Sequence, residues 1–177
     1  DQVVFHRNME RLKKKFETAK QYVPKPVVFN SKNTNIAIMA YGSTEAAINE
    51  ARAQLENDHG IRTDFMRVRA VPFAPEVDEF VKHYDQIFVV EMNRDGQLHQ
   101  LLSLAHPEFA MKFKSVAFGD GMPASAKWVR EGILAKYTQP ETVKPAQTAA
   151  VKTKAAPRKS APQKTMKAAQ RGTKGAK

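Results

Sequence analysis

The chain has 177 residues, no cysteine and a formal net charge of +11. The length holds one domain with additional segments, and the lack of cysteine excludes disulfides, thiolate zinc sites, cysteine-ligated iron–sulfur clusters and cysteine nucleophiles within this chain. Ten of the 29 basic residues lie between Val143 and Lys177, where there is no Asp or Glu, which leaves 19 basic against 18 acidic residues elsewhere and no electrostatic reason to expect a duplex footprint on the folded part.

No run reaches the roughly 18 apolar residues of a membrane span, and Lys13-Lys14-Lys15 sits where a signal peptide would be apolar. A cytoplasmic protein without membrane contact is the expectation. The start at Asp1, without a methionine, reads as a piece of a longer polypeptide.

Residues 1–34 read as an N-terminal helix and a connector. From Asn8 to Tyr22, Met9, Leu12, Phe16 and Ala19 recur at spacings of three and four, a narrow apolar stripe that needs something to pack on. Pro24 and Pro26 end that helix.

Residues 35–138 alternate strand and helix. Ile36 to Tyr41 is a short apolar strand; Gly42-Ser43-Thr44 supplies a turn and an N-cap, with Glu45 placed to complement the helix dipole. The helix behind it carries Ile48, Ala51 and Leu55 on one face and stops at Asp58-His59-Gly60. In the second strand Met66, Val68 and Ala70 alternate with Arg67 and Arg69. Pro75 opens the next helix with Glu76, Asp78 and Glu79 in its first turn.

The third strand, Ile87 to Glu91, opens with four apolar residues, too few for a helix and suited to a strand covered on both faces. Asn93 to Gln97 is the loop at its carboxyl end, followed by a helix with Leu98, Leu101, Leu102 and Ala105. Lys114 to Phe118 is a fourth strand, and Pro123 opens a last helix with Ala126, Val129, Ile133 and Tyr137. Such alternation predicts βαβ units on a mainly parallel sheet in a three-layer α/β sandwich. Residues 139–177, rich in Lys, Ala and Pro, hold too little apolar surface to offset their ordering entropy and read as a disordered basic tail. The tail is a solvated linker or a tether for nucleic acid or another polyanion.

Catalytic candidates are few. His6, His59, His83, His99 and His106 never fall at a metal-ligand spacing, and Glu76, Asp78 and Glu79 are explained by a helix N-terminus. Gly42-Ser43-Thr44 is a turn with a cap or an anion cradle, without the glycine spacing of a dinucleotide fingerprint or the Gly-Lys pair of a P-loop. Asn93 to Gln97 suits a turn and equally a functional loop. Arg69 is a candidate for a structural ion pair or a carboxylate or phosphate contact.

Three blocks carry a resemblance: Tyr41-Gly42-Ser43-Thr44, Arg67-Val68-Arg69-Ala70-Val71-Pro72-Phe73, and Val89-Val90-Glu91-Met92-Asn93-Arg94-Asp95-Gly96-Gln97-Leu98. In order and spacing they resemble the carboxyl-terminal domain of the α subunit of 2-oxoacid:ferredoxin oxidoreductases, most closely the 2-oxoglutarate type. The likeness spans about residues 4 to 136, including Glu17-Thr18-Ala19 and Val23-Pro24, and does not extend to the tail. It implies the fold of the transketolase C-terminal domain. It also implies an enzyme that decarboxylates a 2-oxoacid on thiamine diphosphate and magnesium, transfers the acyl group to coenzyme A and passes electrons to ferredoxin through an iron–sulfur cluster.

In that family a preceding α-subunit domain and the β subunit build the thiamine site. The resemblance therefore implies a docking domain with no catalytic residue and no cofactor of its own. Tyr41, Gly42, Ser43 and Thr44, with Asn93, Arg94, Asp95, Gly96 and Gln97, are the expected interdomain or subunit contacts. Two alternatives stand beside it: the equivalent domain of another thiamine enzyme, such as a transketolase or a 2-oxoacid dehydrogenase β chain, and a polyanion-binding protein acting through its tail.

Overall fold

A computed structural model describes residues 1–31 and 33–139. Helix α1 (Gln2–Ala19) is followed by strand β1 (Val27–Phe29). Then come β2 (Ile36–Tyr41), α2 (Glu45–His59), β3 (Asp64–Val68), α3 (Pro75–His83), β4 (Gln86–Glu91), α4 (Gln97–Ala105), β5 (Phe113–Ala117) and α5 (Ala126–Leu134). The five strands form one sheet in the order β1-β3-β2-β4-β5, parallel except for β1.

Strands β2 to β5 are covered on both faces, as the apolar run in β4 predicts. Ile38, Phe65, Phe88, Val90 and Val116 face Ile48, Ala51 and Leu55 of α2 and Val129 and Ile133 of α5. Alternate residues Ala37, Met39, Met66, Ile87 and Val89 face Val77, Phe80 and Val81 of α3 and Leu98 and Leu102 of α4. This is the expected three-layer α/β sandwich. Gly132 brings α5 close to the sheet, since a Cβ there would stand 2.6 Å from Cγ1 of Val116.

Four local expectations are corrected. The predicted connector contains β1, an edge strand antiparallel to β3 whose Phe29 ring stacks on Phe65 at 5.3 Å; the flanking prolines hid a strand that exists through pairing with β3. The N-terminal helix begins at Gln2, not Asn8, because the Asp1 carboxylate caps it by accepting from the Val3 N–H at 2.9 Å. Thr44 does not cap α2: it is itself helical, and its hydroxyl donates to the Tyr41 carbonyl at 3.0 Å. Finally, α5 starts at Ala126 behind Ser125, whose hydroxyl accepts from the Trp128 N–H, a better cap than Pro123 offers. The expected tail lies, from residue 140 on, outside the described residues.

At the amino-terminal end of the sheet a polar network ties the elements together. Buried Asp64 accepts from the Ser31 N–H and from the Tyr84 hydroxyl, the latter at 2.5 Å. Arg52 of α2 donates to the carbonyls of Thr63 (2.7 Å) and Phe29 (3.3 Å) and to the Ser31 hydroxyl (3.1 Å). Burial pushes the Tyr84 phenol up, reinforced by its bond to Asp64, and pushes the Arg52 guanidinium down.

Candidate functional site

The carboxyl end of the sheet has a topological break. Strand β2 leaves toward α2 on one face, with β3 as its neighbour; β4 leaves toward α4 on the other face, with β5 as its neighbour. Diverging connections leave a crevice between the two strand ends, the usual ligand or partner position in open α/β sheets. Here that crevice has a volume of about 580 Å³. Tyr41, Gly42, Asn93 and Gln97 line its mouth with Arg67 and Arg69, and Val68, Val71, Leu98 and Leu101 give it apolar walls.

The geometry rests on Glu91, the last residue of β4, which is fully buried. Its carboxylate accepts from the backbone N–H groups of Leu98 (2.9 Å) and His99 (3.0 Å) and from the Asn93 amide (3.2 Å). Glu91 therefore caps α4 from outside the helix. The formal cap position is Gly96, which has no side chain to offer and a φ of 65° that favours glycine. The position is also tight, with Oγ of Ser115 at 3.1 Å from an added Cβ. A carboxylate at a helix N-terminus is favoured by the free N–H groups and the dipole there.

The Asn93 amide also donates to the Tyr41 hydroxyl at 2.5 Å, bridging the two loops read from the sequence. Of the nine predicted contact residues, Tyr41, Gly42, Asn93 and Gln97 meet in the crevice. Exposed Ser43 and buried Thr44 share a single 3₁₀ turn with Gly42 but do not line the crevice. Arg94 and Asp95 are exposed and pair with each other through two hydrogen bonds of 2.8 and 3.1 Å, which holds the Arg94 guanidinium above its ordinary range. Gly96 is buried at the start of α4.

The ion pair expected of Arg69 is made by Arg67 instead, at 2.5 Å from Glu45. Arg69 is exposed, with only a 3.5 Å contact to the Lys25 carbonyl, and has no acidic partner among the described residues. Glu76 pairs with Lys25 at 2.6 Å and Glu79 with Lys82 at 2.8 Å, so the acidic first turn of α3 serves structural contacts.

Sequence reasoning missed Glu91 as an organiser. The signal was present: an acid ends a strand buried on both faces, and the next helix has glycine where a capping side chain belongs.

No family model matches the chain. Over 99 residues it is 32% identical to the α subunit of 2-oxoacid:ferredoxin oxidoreductase 2 of Aeropyrum pernix, a match covering 53% of this chain and 15% of that protein. The chain resembles part of a 2-oxoacid:ferredoxin oxidoreductase α subunit. It spans only a small share of that relative's length.

Solved structures share the fold. A 2-oxoglutarate:ferredoxin oxidoreductase from Magnetococcus marinus, with 2-oxoglutarate, coenzyme A and succinyl-CoA bound, superposes with a TM-score of 0.53 at 19% identity, over 65% of this chain and 20% of that one. A split-gene transketolase, an inactive β4 tetramer, also gives 0.53 at 19% identity, over 63% and 40%. The expected transketolase-like α/β fold is borne out.

The crevice does not fit magnesium diphosphate. None of its lining residues is a carboxylate, and the nearby Glu91 is fully buried and already accepts three hydrogen bonds, whereas Mg²⁺ bound to phosphates needs carboxylate oxygens left open. With no cysteine in the sequence, there is also no thiolate for an iron–sulfur cluster.

Proposed function

We propose that this chain is the docking domain of a 2-oxoacid:ferredoxin oxidoreductase α subunit of the 2-oxoglutarate type. It supports oxidative decarboxylation of the 2-oxoacid to acyl-CoA with electron transfer to ferredoxin, and performs no chemistry by itself. Thiamine diphosphate, magnesium, coenzyme A and the iron–sulfur cluster belong to the rest of a cytoplasmic holoenzyme: a thiamine-binding domain or β subunit, with ferredoxin as electron acceptor.

The observation that carries this reading is how the polar groups in and behind the crevice are used. Glu91 organises the start of α4, Asn93 joins Glu91 to Tyr41, and Arg67 is held by Glu45. These groups fix the shape of two loops and are not poised over a reacting atom. The sequence identity to an α subunit supports the enzyme class, and the three motif blocks support the 2-oxoglutarate type. The crevice mouth, with Tyr41, Gly42, Asn93 and Gln97, is then a contact surface for the thiamine-binding partner.

The test is to tag the protein in its own cells, purify it gently, identify its companions and assay coenzyme-A-dependent reduction of a low-potential acceptor. A thiamine-binding companion with 2-oxoglutarate-driven activity is expected. Recovery with nucleic acid alone and no oxoacid activity would overturn the reading.

A further inference from the structure

Helix α1 is left unexplained by the crevice. It runs for 18 residues and none of them is buried. Its large apolar side chains nonetheless form a line: Phe5, Met9, Leu12 and Phe16, with Phe5 66% and Phe16 61% exposed. Spacings of four, three and four are those of a heptad seam, continued by Ala19. Even where a helix exceeds the about 12–15 residues below which it is marginal in water, most helical stability in proteins comes from packing of an apolar face. The seam of α1 has no such cover within the α/β domain.

The flanks of the seam select what covers it. With Met9 and Phe16 at the first heptad position, the flanking positions are His6, Asn8, Lys13, Lys15 and Lys20, none of them acidic. In a parallel pair of α1 helices Asn8 of one would meet Lys13 of the other, and Lys15 would meet Lys20, which lies just past the helix and pairs with Glu17 of its own chain at 3.0 Å, so no attractive charge pair forms across the seam. A second copy is thus the wrong occupant. A membrane surface fits less well too, since interfacial helices present a wide apolar face. The seam here is one side chain wide, broadened by Val3 and Val4 only at the first turn.

We infer that α1 docks by its Phe5-Met9-Leu12-Phe16 seam onto a helix of a partner chain whose own apolar seam is flanked by Asp and Glu. The inference does not depend on which enzyme the domain serves. It assigns the chain a second contact element, separate from the crevice and selected by charge.

The test uses the full chain and two synthetic three-heptad helices with leucine seams, one flanked by Glu and one by Lys, in a fluorescence anisotropy titration. The Glu-flanked peptide is expected to bind at least about tenfold more tightly than the Lys-flanked one, the preference shrinking with added salt. Lys13→Glu with Lys15→Glu should reverse the preference, and Phe5→Ser with Phe16→Ser should abolish binding. Binding that survives the double serine change would belong to the basic tail and overturn the inference. Equal binding of both peptides, self-association lost in the serine variant, or capture by phosphatidylserine vesicles that the Glu-flanked peptide fails to compete away would also overturn it.

Discussion

At the amino-terminal end of the sheet, Asp64, Arg52, Tyr84 and Ser31 join β3, α2, the residue after α3 and the segment behind β1 through hydrogen bonds to one another and to main-chain carbonyls. At the carboxyl end, Glu91, Asn93 and Tyr41 also join distant loops, but around a crevice of about 580 Å³ whose mouth keeps Arg69 and Gln97 exposed. Both networks satisfy buried polar groups. The difference is that one closes on itself and the other leaves a shaped opening with donors facing out. Under the proposed function the carboxyl end is the contact face and the amino end is structural.

The sharpest way to break this comparison is Glu91→Ala. It strands two backbone N–H groups and leaves the Asn93 amide with only its bond to Tyr41, and should cost about 2–4 kcal/mol in urea unfolding while loosening residues 93–97. A variant as stable as the parent would remove Glu91 as the organiser. Asp64→Asn comes next. Losing a charged acceptor shared by Ser31 and Tyr84 should cost about 1–3 kcal/mol, with partner affinity unchanged, because the amino end makes no outside contact in this account.

A third test uses pH. Tyr84 has a folded-state pKa raised by burial and by its bond to Asp64, so the neutral phenol is favoured on folding. That stability is fully present below the unfolded tyrosine value of about 10 and is lost as pH rises above it. Denaturation midpoints of the parent should fall in this alkaline window more steeply than those of Tyr84→Phe; parallel curves would contradict the network. The smallest expected stability change is that of Arg69→Ala, within about 0.5 kcal/mol for an exposed side chain. It should nonetheless weaken partner binding measured by isothermal titration, whereas unchanged binding would remove Arg69 from the contact.

The sequence made some of these features legible and hid others. Strands β2 and β4 were readable because they are continuously apolar, which a sheet covered on both faces demands. Strand β1 was not: Val27-Val28-Phe29 is too short for any period, and its existence depends on β3. Two loops of the candidate site were legible from turn residues at strand ends, but their meeting was not. Tyr41 and Asn93 are 52 positions apart and are joined by strand order, which local patterns do not specify. Choosing Arg67 over Arg69 as the paired arginine likewise required knowing that Glu45 stands beside β3.

The most direct measurement is hydrogen exchange on the chain alone and within the complex purified from its own cells. The account predicts slower exchange on assembly at residues 41–44 and 93–97, with no change at 62–64 and 84–86. Protection at the amino-terminal residues, or none at the crevice, would contradict the assignment of the carboxyl end as the docking face.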